Sequence, residues 1–66
     1  MSVLINGTPD ESAVGRTIAD VLRAVAGSPR GSAVAVDGAV VPRAEWQAYT
    51  LRPGQSVEVI TAVQGG

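Results

Sequence analysis

Two glycines, Gly65-Gly66, close the sequence, and the α-carboxylate of Gly66 is the group best suited to chemistry. Because glycine has no Cβ, a Gly-Gly segment can lie extended in a channel too narrow for side chains. Peptide α-carboxylates have a pKa of about 3.3–3.7 and are ionised at neutral pH. A carrier protein needs such an acid on a thin segment if another enzyme activates its C-terminus. The alternative interpretation is a flexible chain end without function.

The remaining side chains offer little for catalysis. The sequence has no cysteine, histidine or lysine, so the commonest nucleophiles, general bases and metal ligands are missing. The α-amino group of Met1 is the only primary amine, so in acyl chemistry the chain would be the donor. Asp10-Glu11 is the only adjacent pair of acids, and we interpret it as a solvated strand edge. We predict no catalytic residue and no metal site.

Length and charge narrow the class of protein. The 66 residues allow one domain, close to the smallest size that a hydrophobic core can stabilise. All five basic residues are arginines spread along the chain, and the formal net charge is -1. No basic patch for nucleic acid or a membrane surface is visible, nor is a signal peptide or a transmembrane stretch. We expect a soluble cytoplasmic protein without a nucleic-acid or membrane partner.

The first half of the sequence predicts a β-hairpin and a helix. The hairpin combines a strand at residues 2–6, a turn at 7–9 and a weaker strand over Asp10–Val14. The helix covers Thr17–Ala26, with Thr17 as N-cap, and Gly27 followed by Pro29 ends it. Its apolar face has the spacing i, i+3, i+4, i+7, at Ile18, Val21, Leu22 and Val25.

The second half predicts three more strands around an irregular segment. The strands are residues 32–36, a short return strand at 39–41 after the Asp37-Gly38 turn, and 56–61. Residues 43–51 form an irregular stretch or a short helical turn, with Trp46 and Leu51 as core anchors. Pro53-Gly54 predicts a type II turn before the last strand.

This order of elements predicts an α+β fold of the β-grasp, or ubiquitin-like, type. A mixed sheet of four to five strands wraps one main helix, and the first and last strands lie parallel at its centre. Residues 1–61 form the domain, and residues 62–66 form a flexible Gly-Gly tail. The tail spans up to roughly 17 Å when extended, which is enough to reach into a partner's active site.

Several short motifs resemble the ThiS family of thiamine-biosynthesis sulfur carriers. They are the V-P-R-x-x-W segment at Val41–Trp46, the turns at Asn6-Gly7 and Pro53-Gly54, the Gly15-x-Thr17 lead into the helix, and Gly65-Gly66. The similarity covers the whole chain. Gln64 departs from the pattern, because alanine often stands before the two glycines in this family.

The resemblance implies a carrier that is not itself an enzyme and binds no cofactor. An ATP-dependent activating enzyme, using its own ATP and magnesium, would adenylate Gly66. A persulfide supplied by a cysteine desulfurase would then convert it to a thiocarboxylate. Thiazole synthase would use that sulfur, while Gly65, Gln64 and Val63 thread the partner's active site.

Three alternatives share some of these features. They are a sulfur carrier for molybdopterin or cysteine synthesis, a ubiquitin-like protein modifier, and an interaction module whose Gly-Gly is incidental. The molybdopterin type tends to have a proline-rich approach to its glycines, which residues 62–64 lack. We expect the docking surface on the sheet face away from the helix, near the tail.

Overall fold

A computed structural model describes residues 1–26 and 31–61, which form five strands and one α-helix. The strands are β1 (Val3–Ile5), β2 (Thr8–Asp10), β3 (Ser32–Val36), β4 (Ala39–Val40) and β5 (Ser56–Thr61). The helix α1 covers Ile18–Ala26, and two 3₁₀-helices cover Glu11–Ala13 and Arg43–Glu45. No helix in these ranges has the length and apolar content to cross a membrane.

The five strands form one mixed sheet in the order β2-β1-β5-β3-β4. The first and last strands, β1 and β5, pair in parallel, and the other neighbours pair antiparallel. With α1 the sheet makes the α+β architecture of the β-grasp fold. The prediction of a central parallel pair is therefore confirmed.

The prediction of a second strand over Asp10–Val14 is wrong, because the first turn is shorter than expected. It needs two residues, Asn6-Gly7, so β2 already begins at Thr8. Pro9 is tolerated because β2 is an edge strand. Its partner Leu4 donates its N–H to the Gln55 carbonyl on the other side of β1. The missing N–H of Pro9 therefore costs no ladder hydrogen bond.

Asp10 and Glu11 do not share a strand as predicted. Asp10 ends β2 and caps the first 3₁₀-helix, where its Oδ1 accepts hydrogen bonds from the Ser12 N–H at 2.9 Å and hydroxyl at 2.6 Å. The hydroxyl bond is the main cause that holds the pKa of the Asp10 carboxyl below its ordinary value. Among the described residues, no group of three or more acids lies together as a metal site would require.

The start of α1 is closed by hydrogen bonds, as its capping motif predicted. Thr17 Oγ1 accepts from the Asp20 N–H at 3.2 Å, and the Thr17 carbonyl accepts from the Val21 N–H. The N–H groups of Ile18 and Ala19 donate to carbonyls of the segment 46–49. All four N–H groups of the first turn are thus satisfied. The predicted terminators, Gly27 and Pro29, lie outside the described residues.

A second departure from the prediction concerns the apolar face of the helix, because Val25 does not join the core. Its side chain is 49% exposed, whereas those of the other three residues of the predicted apolar face are buried. Val25 lines a groove between α1 and the first 3₁₀-helix, together with Ala13 and Val21.

The segment 43–51 contributes two residues to the core, as predicted. It begins as a short 3₁₀ turn, and both Trp46 and Leu51 are buried. The sheet contributes its inward side chains to the same core. The members of the core are Val3, Ile5, Ala13, Ile18, Val21, Leu22, Val34, Val36, Val41, Trp46, Leu51, Val57 and Val59.

We predict that Val57→Ala destabilises the domain far more than Val40→Ala does. Both residues lie in strands, but Val57 is 1% exposed and Val40 is 76% exposed. Removing two buried methyl groups leaves a cavity and is expected to cost about 1.5–3 kcal/mol. The exposed substitution should cost at most about 0.5 kcal/mol. Urea unfolding followed by circular dichroism measures both, and equal losses would contradict the assigned core.

Candidate functional site

The strand that leads toward Gly66 is held on both sides. β5 lies between β1 and β3, and its register with β3 runs from Val57 opposite Val36 to Thr61 opposite Ser32. The side chains of Val57 and Val59 point into the core. The base of the tail is therefore a fixed part of the fold, located at the end of its most central strand.

Two hairpin turns also fix β5 through their side chains. Asn6-Gly7 and Asp37-Gly38 each have positive φ at both residues, which defines two-residue turns of type I′. Asn6 Oδ1 accepts a hydrogen bond from the Val59 N–H at 2.8 Å. Asp37 Oδ1 accepts one from the Ser56 N–H at 2.9 Å. The Asp37 turn thus holds β5 at its first residue, and the Asn6 turn holds it at the fourth of its six residues.

The sequence predicts the Asp37-Gly38 turn, whereas it places the first turn at residues 7–9 and only the family resemblance marks Asn6-Gly7. Neither signal predicts the hydrogen bonds that the Asn6 and Asp37 side chains make to β5. The Asn6-Gly7 and Asp37-Gly38 pairs signal a tight turn, and asparagine and aspartate are the residues that tolerate positive φ there. Their partners on β5 are 53 and 19 residues away in the sequence. The available signal was the occurrence of two such pairs, each with an acceptor oxygen, at hairpins flanking one strand.

The outward face of the sheet is open and mostly apolar next to β5. Because Val57 and Val59 point inward, Glu58 and Ile60 point outward. Ile60 is 61% exposed. The register extends this surface across β3 and β4 through Ala33, Ala35 and Val40. We call the surface formed by Ala33, Ala35, Val40, Glu58 and Ile60 the outer face.

The four residues predicted to carry the chemistry or to thread a partner lie outside the described residues. They are Val63, Gln64, Gly65 and Gly66. The structure places the chain that precedes them, up to Thr61 at the end of β5. It also shows that the outer face extends along β5 toward the tail.

The V-P-R-x-x-W segment is structural. Trp46 is 4% exposed, and its Nε1–H donates to the Val41 carbonyl at 2.9 Å. The Arg43 guanidinium lies over the indole, 5.8 Å from the ring centroid, which is within cation–π range. These contacts confirm the prediction that Trp46 is a core anchor. A cavity of about 340 Å³ lies beside them, between this segment and α1.

We predict that Asn6→Gly and Asp37→Gly loosen β5 at different amides. Glycine keeps the positive φ that each turn needs but removes the acceptor oxygen. Each lost hydrogen bond contributes about 0.5–1.5 kcal/mol, so amide exchange should accelerate roughly 2- to 12-fold. Native-state hydrogen exchange should show this at Val59 for Asn6→Gly and at Ser56 for Asp37→Gly. Each variant is the control for the other, and acceleration at neither amide would contradict the assigned roles.

Comparison with known proteins agrees with this geometry. The sequence model of the ThiS family matches residues 3–66. The chain is 26% identical over 66 residues to the sulfur carrier protein ThiS of Escherichia coli K12, and the match covers all of both chains. It also matches the crystal structure of the thiamine biosynthesis protein ThiS from Geobacter metallireducens, with a TM-score of 0.76, 26% identity and full coverage of both chains. Since the family match spans nearly the whole sequence, the chain belongs to the ThiS family.

Proposed function

We propose that this chain is a sulfur carrier that delivers sulfur for thiazole formation in thiamine biosynthesis. The observation that carries the proposal is the family match, which runs through Gly65-Gly66. The E. coli relative, named a sulfur carrier protein, is matched over its full length. The chain has no cysteine, histidine or lysine, so catalysis is assigned to partner enzymes. We place the carrier in the cytoplasm, together with those partners.

The proposed chemistry begins at the Gly66 carboxylate. One carboxylate oxygen attacks the α-phosphorus of ATP and releases pyrophosphate, which leaves an acyl adenylate on Gly66. The activating enzyme supplies ATP and the magnesium that neutralises the phosphates. The terminal sulfur of an enzyme persulfide, charged by a cysteine desulfurase, then attacks the acyl carbon and expels AMP. Cleavage of the resulting S–S bond by a thiol leaves a thiocarboxylate, which thiazole synthase consumes.

The fold supports this cycle by separating a rigid body from a reactive end. β5 is fixed up to Thr61, and five further residues reach Gly66. Fully extended, they span at most roughly 17 Å, which is enough to enter an active site while the domain stays outside. Docking of the domain would place the carboxylate beside ATP and so lower the entropic cost of the reaction. In this arrangement Val63, Gln64 and Gly65 line the partner's channel.

The outer face is the docking surface that we propose for the activating enzyme. It carries the large exposed apolar side chains Ile60 and Val40, and it continues along the strand that leads to the tail. Glu58 lies among these apolar residues on β5. A matching partner surface would be apolar with a basic side chain opposite Glu58.

We predict an ATP-dependent mass gain on the C-terminal peptide. The chain is incubated with the activating enzyme, ATP, cysteine and a desulfurase, and its intact and fragment masses are then recorded. The gain should equal the difference between sulfur and oxygen, should map to Gly66, and should disappear when thiazole synthase and its other substrates are added. A chain lacking Gly66 is the control and should show no gain.

Each other outcome of this assay assigns a different function. A gain that thiazole synthase does not consume would indicate a sulfur carrier for another pathway, such as molybdopterin or cysteine synthesis. A covalent adduct on protein lysines would indicate a ubiquitin-like modifier. No gain with the activating enzyme of the same organism would contradict the proposal.

We also predict that Ile60→Ala weakens docking and that Val25→Ala does not. Ile60 lies on the outer face, whereas Val25 is a similarly exposed apolar residue on the helix. Loss of a contacting isoleucine should raise the Kd for the activating enzyme about 5- to 30-fold, which corresponds to about 1–2 kcal/mol. Isothermal titration calorimetry measures both variants. Equal affinities for the two variants would move the docking surface away from the outer face.

A further inference from the structure

β5 extends past the end of its neighbour β1. The pairing of β5 with β1 ends at Ile5 opposite Val57. On its other side, the pairing of β5 with β3 continues to Thr61. Along the β1 side, the described part of the chain therefore places no strand beside residues 59–61.

We call this stretch of β5, residues 59–61, the step. The hydrogen bonds show which of its backbone groups point toward the side on which β1 has ended. The N–H groups of Leu4 and Asn6 donate to the carbonyls of Gln55 and Val57, at 2.9 and 2.8 Å. Every second residue of β5 thus directs its backbone groups toward β1. The next residue in this row is Val59, and its N–H is taken by the Asn6 side chain. The following groups are the carbonyl of Val59 and the N–H of Thr61.

Among the described residues, no strand follows β1 at this place, because the chain turns at Asn6-Gly7. After the turn the chain returns as β2, on the side of β1 that faces away from β5. The Asn6 side chain replaces the backbone carbonyl that a longer β1 would offer to Val59. A single residue of an added parallel strand could then accept from the Thr61 N–H and donate to the Val59 carbonyl.

The two outer edges of the sheet are poorer places for such an addition. On β2 the residue whose backbone faces outward is Pro9, which has no N–H to donate. The other edge strand, β4, has two residues. The step on β5, unlike these two edges, lies directly before the tail.

We propose that the enzyme that activates Gly66 adds an extended segment to β5 at Val59–Thr61, through backbone hydrogen bonds. The inference rests on the proposed function and adds the manner of docking. The occupant follows from position, because an enzyme that holds Gly66 must lie within the reach of five residues beyond Thr61. Backbone pairing at this point fixes the direction in which the tail leaves the domain.

The test replaces a single backbone amide by an ester in chemically synthesised chains. An ester at the Thr61 nitrogen removes the N–H donor and keeps every side chain. The same replacement at Gly38 is the matched control, since that residue lies in the exposed turn at the opposite end of β3. Thermal unfolding by circular dichroism confirms that both chains fold.

We expect the Thr61 ester to raise the Kd for the activating enzyme about 3- to 10-fold, the effect of one lost interface hydrogen bond. The Gly38 ester should stay within about twofold of the natural chain. Equal affinities of the two ester chains, with the natural chain still converted to its thiocarboxylate, would overturn the edge proposal alone. A natural chain that neither binds the enzyme nor gains sulfur would overturn the proposed function and this inference together.

Discussion

β5 pairs with β1 at Ser56 and Val57 on one side and with β3 from Val57 to Thr61 on the other, so the strand that leads to the tail is held by both neighbours at its start and by β3 at its end. Its inward valines, Val57 and Val59, are buried against α1 and the core. The side chains of Asp37 and Asn6 accept hydrogen bonds from its backbone at Ser56 and Val59. The two short hairpins that contain these residues flank the strand on either side. The last residues of the chain therefore follow directly from a strand that is part of the sheet.

The segment around Trp46 completes the layer that packs, together with α1, on the inner face of the sheet. One α-helix of nine residues covers a five-stranded sheet only in part. The segment 46–51 fills the remainder with Trp46 and Leu51, and its carbonyls accept the free N–H groups at the start of α1. The V-P-R-x-x-W segment therefore stabilises the fold in this chain. The outer face lies on the other side of the sheet, away from this layer.

Much of this architecture could be predicted from the sequence, since apolar periodicity and turn residues are local signals. The helix, its Thr17 cap and the last strand follow from such patterns. The second strand differs from the prediction because Pro9 indicates a turn in the sequence, whereas an edge strand tolerates it. Val25 matches the helical period, but its side chain is exposed. Local patterns carry no information about which face another element covers.

The contacts of Asn6 and Asp37 illustrate a second limit. Each side chain bonds to a backbone amide of β5 that is distant in sequence, so it depends on the register of strands that the sequence alone leaves open. The same holds for the edge at Val59–Thr61, which exists because the pairing of β1 with β5 ends at Val57, whereas β5 continues to Thr61. The outer face was predicted in outline, since alternation along β5 places Glu58 and Ile60 opposite the core.

We propose that adenylation activates the Gly66 carboxylate, and a synthetic chain whose two C-terminal oxygens are a heavy isotope can show this step. If one of them attacks the α-phosphorus of ATP and later leaves with AMP, each turnover transfers one heavy oxygen to AMP. We therefore expect labelled AMP in amounts equal to the thiocarboxylate formed. AMP without label, alongside sulfur transfer, would contradict the proposal.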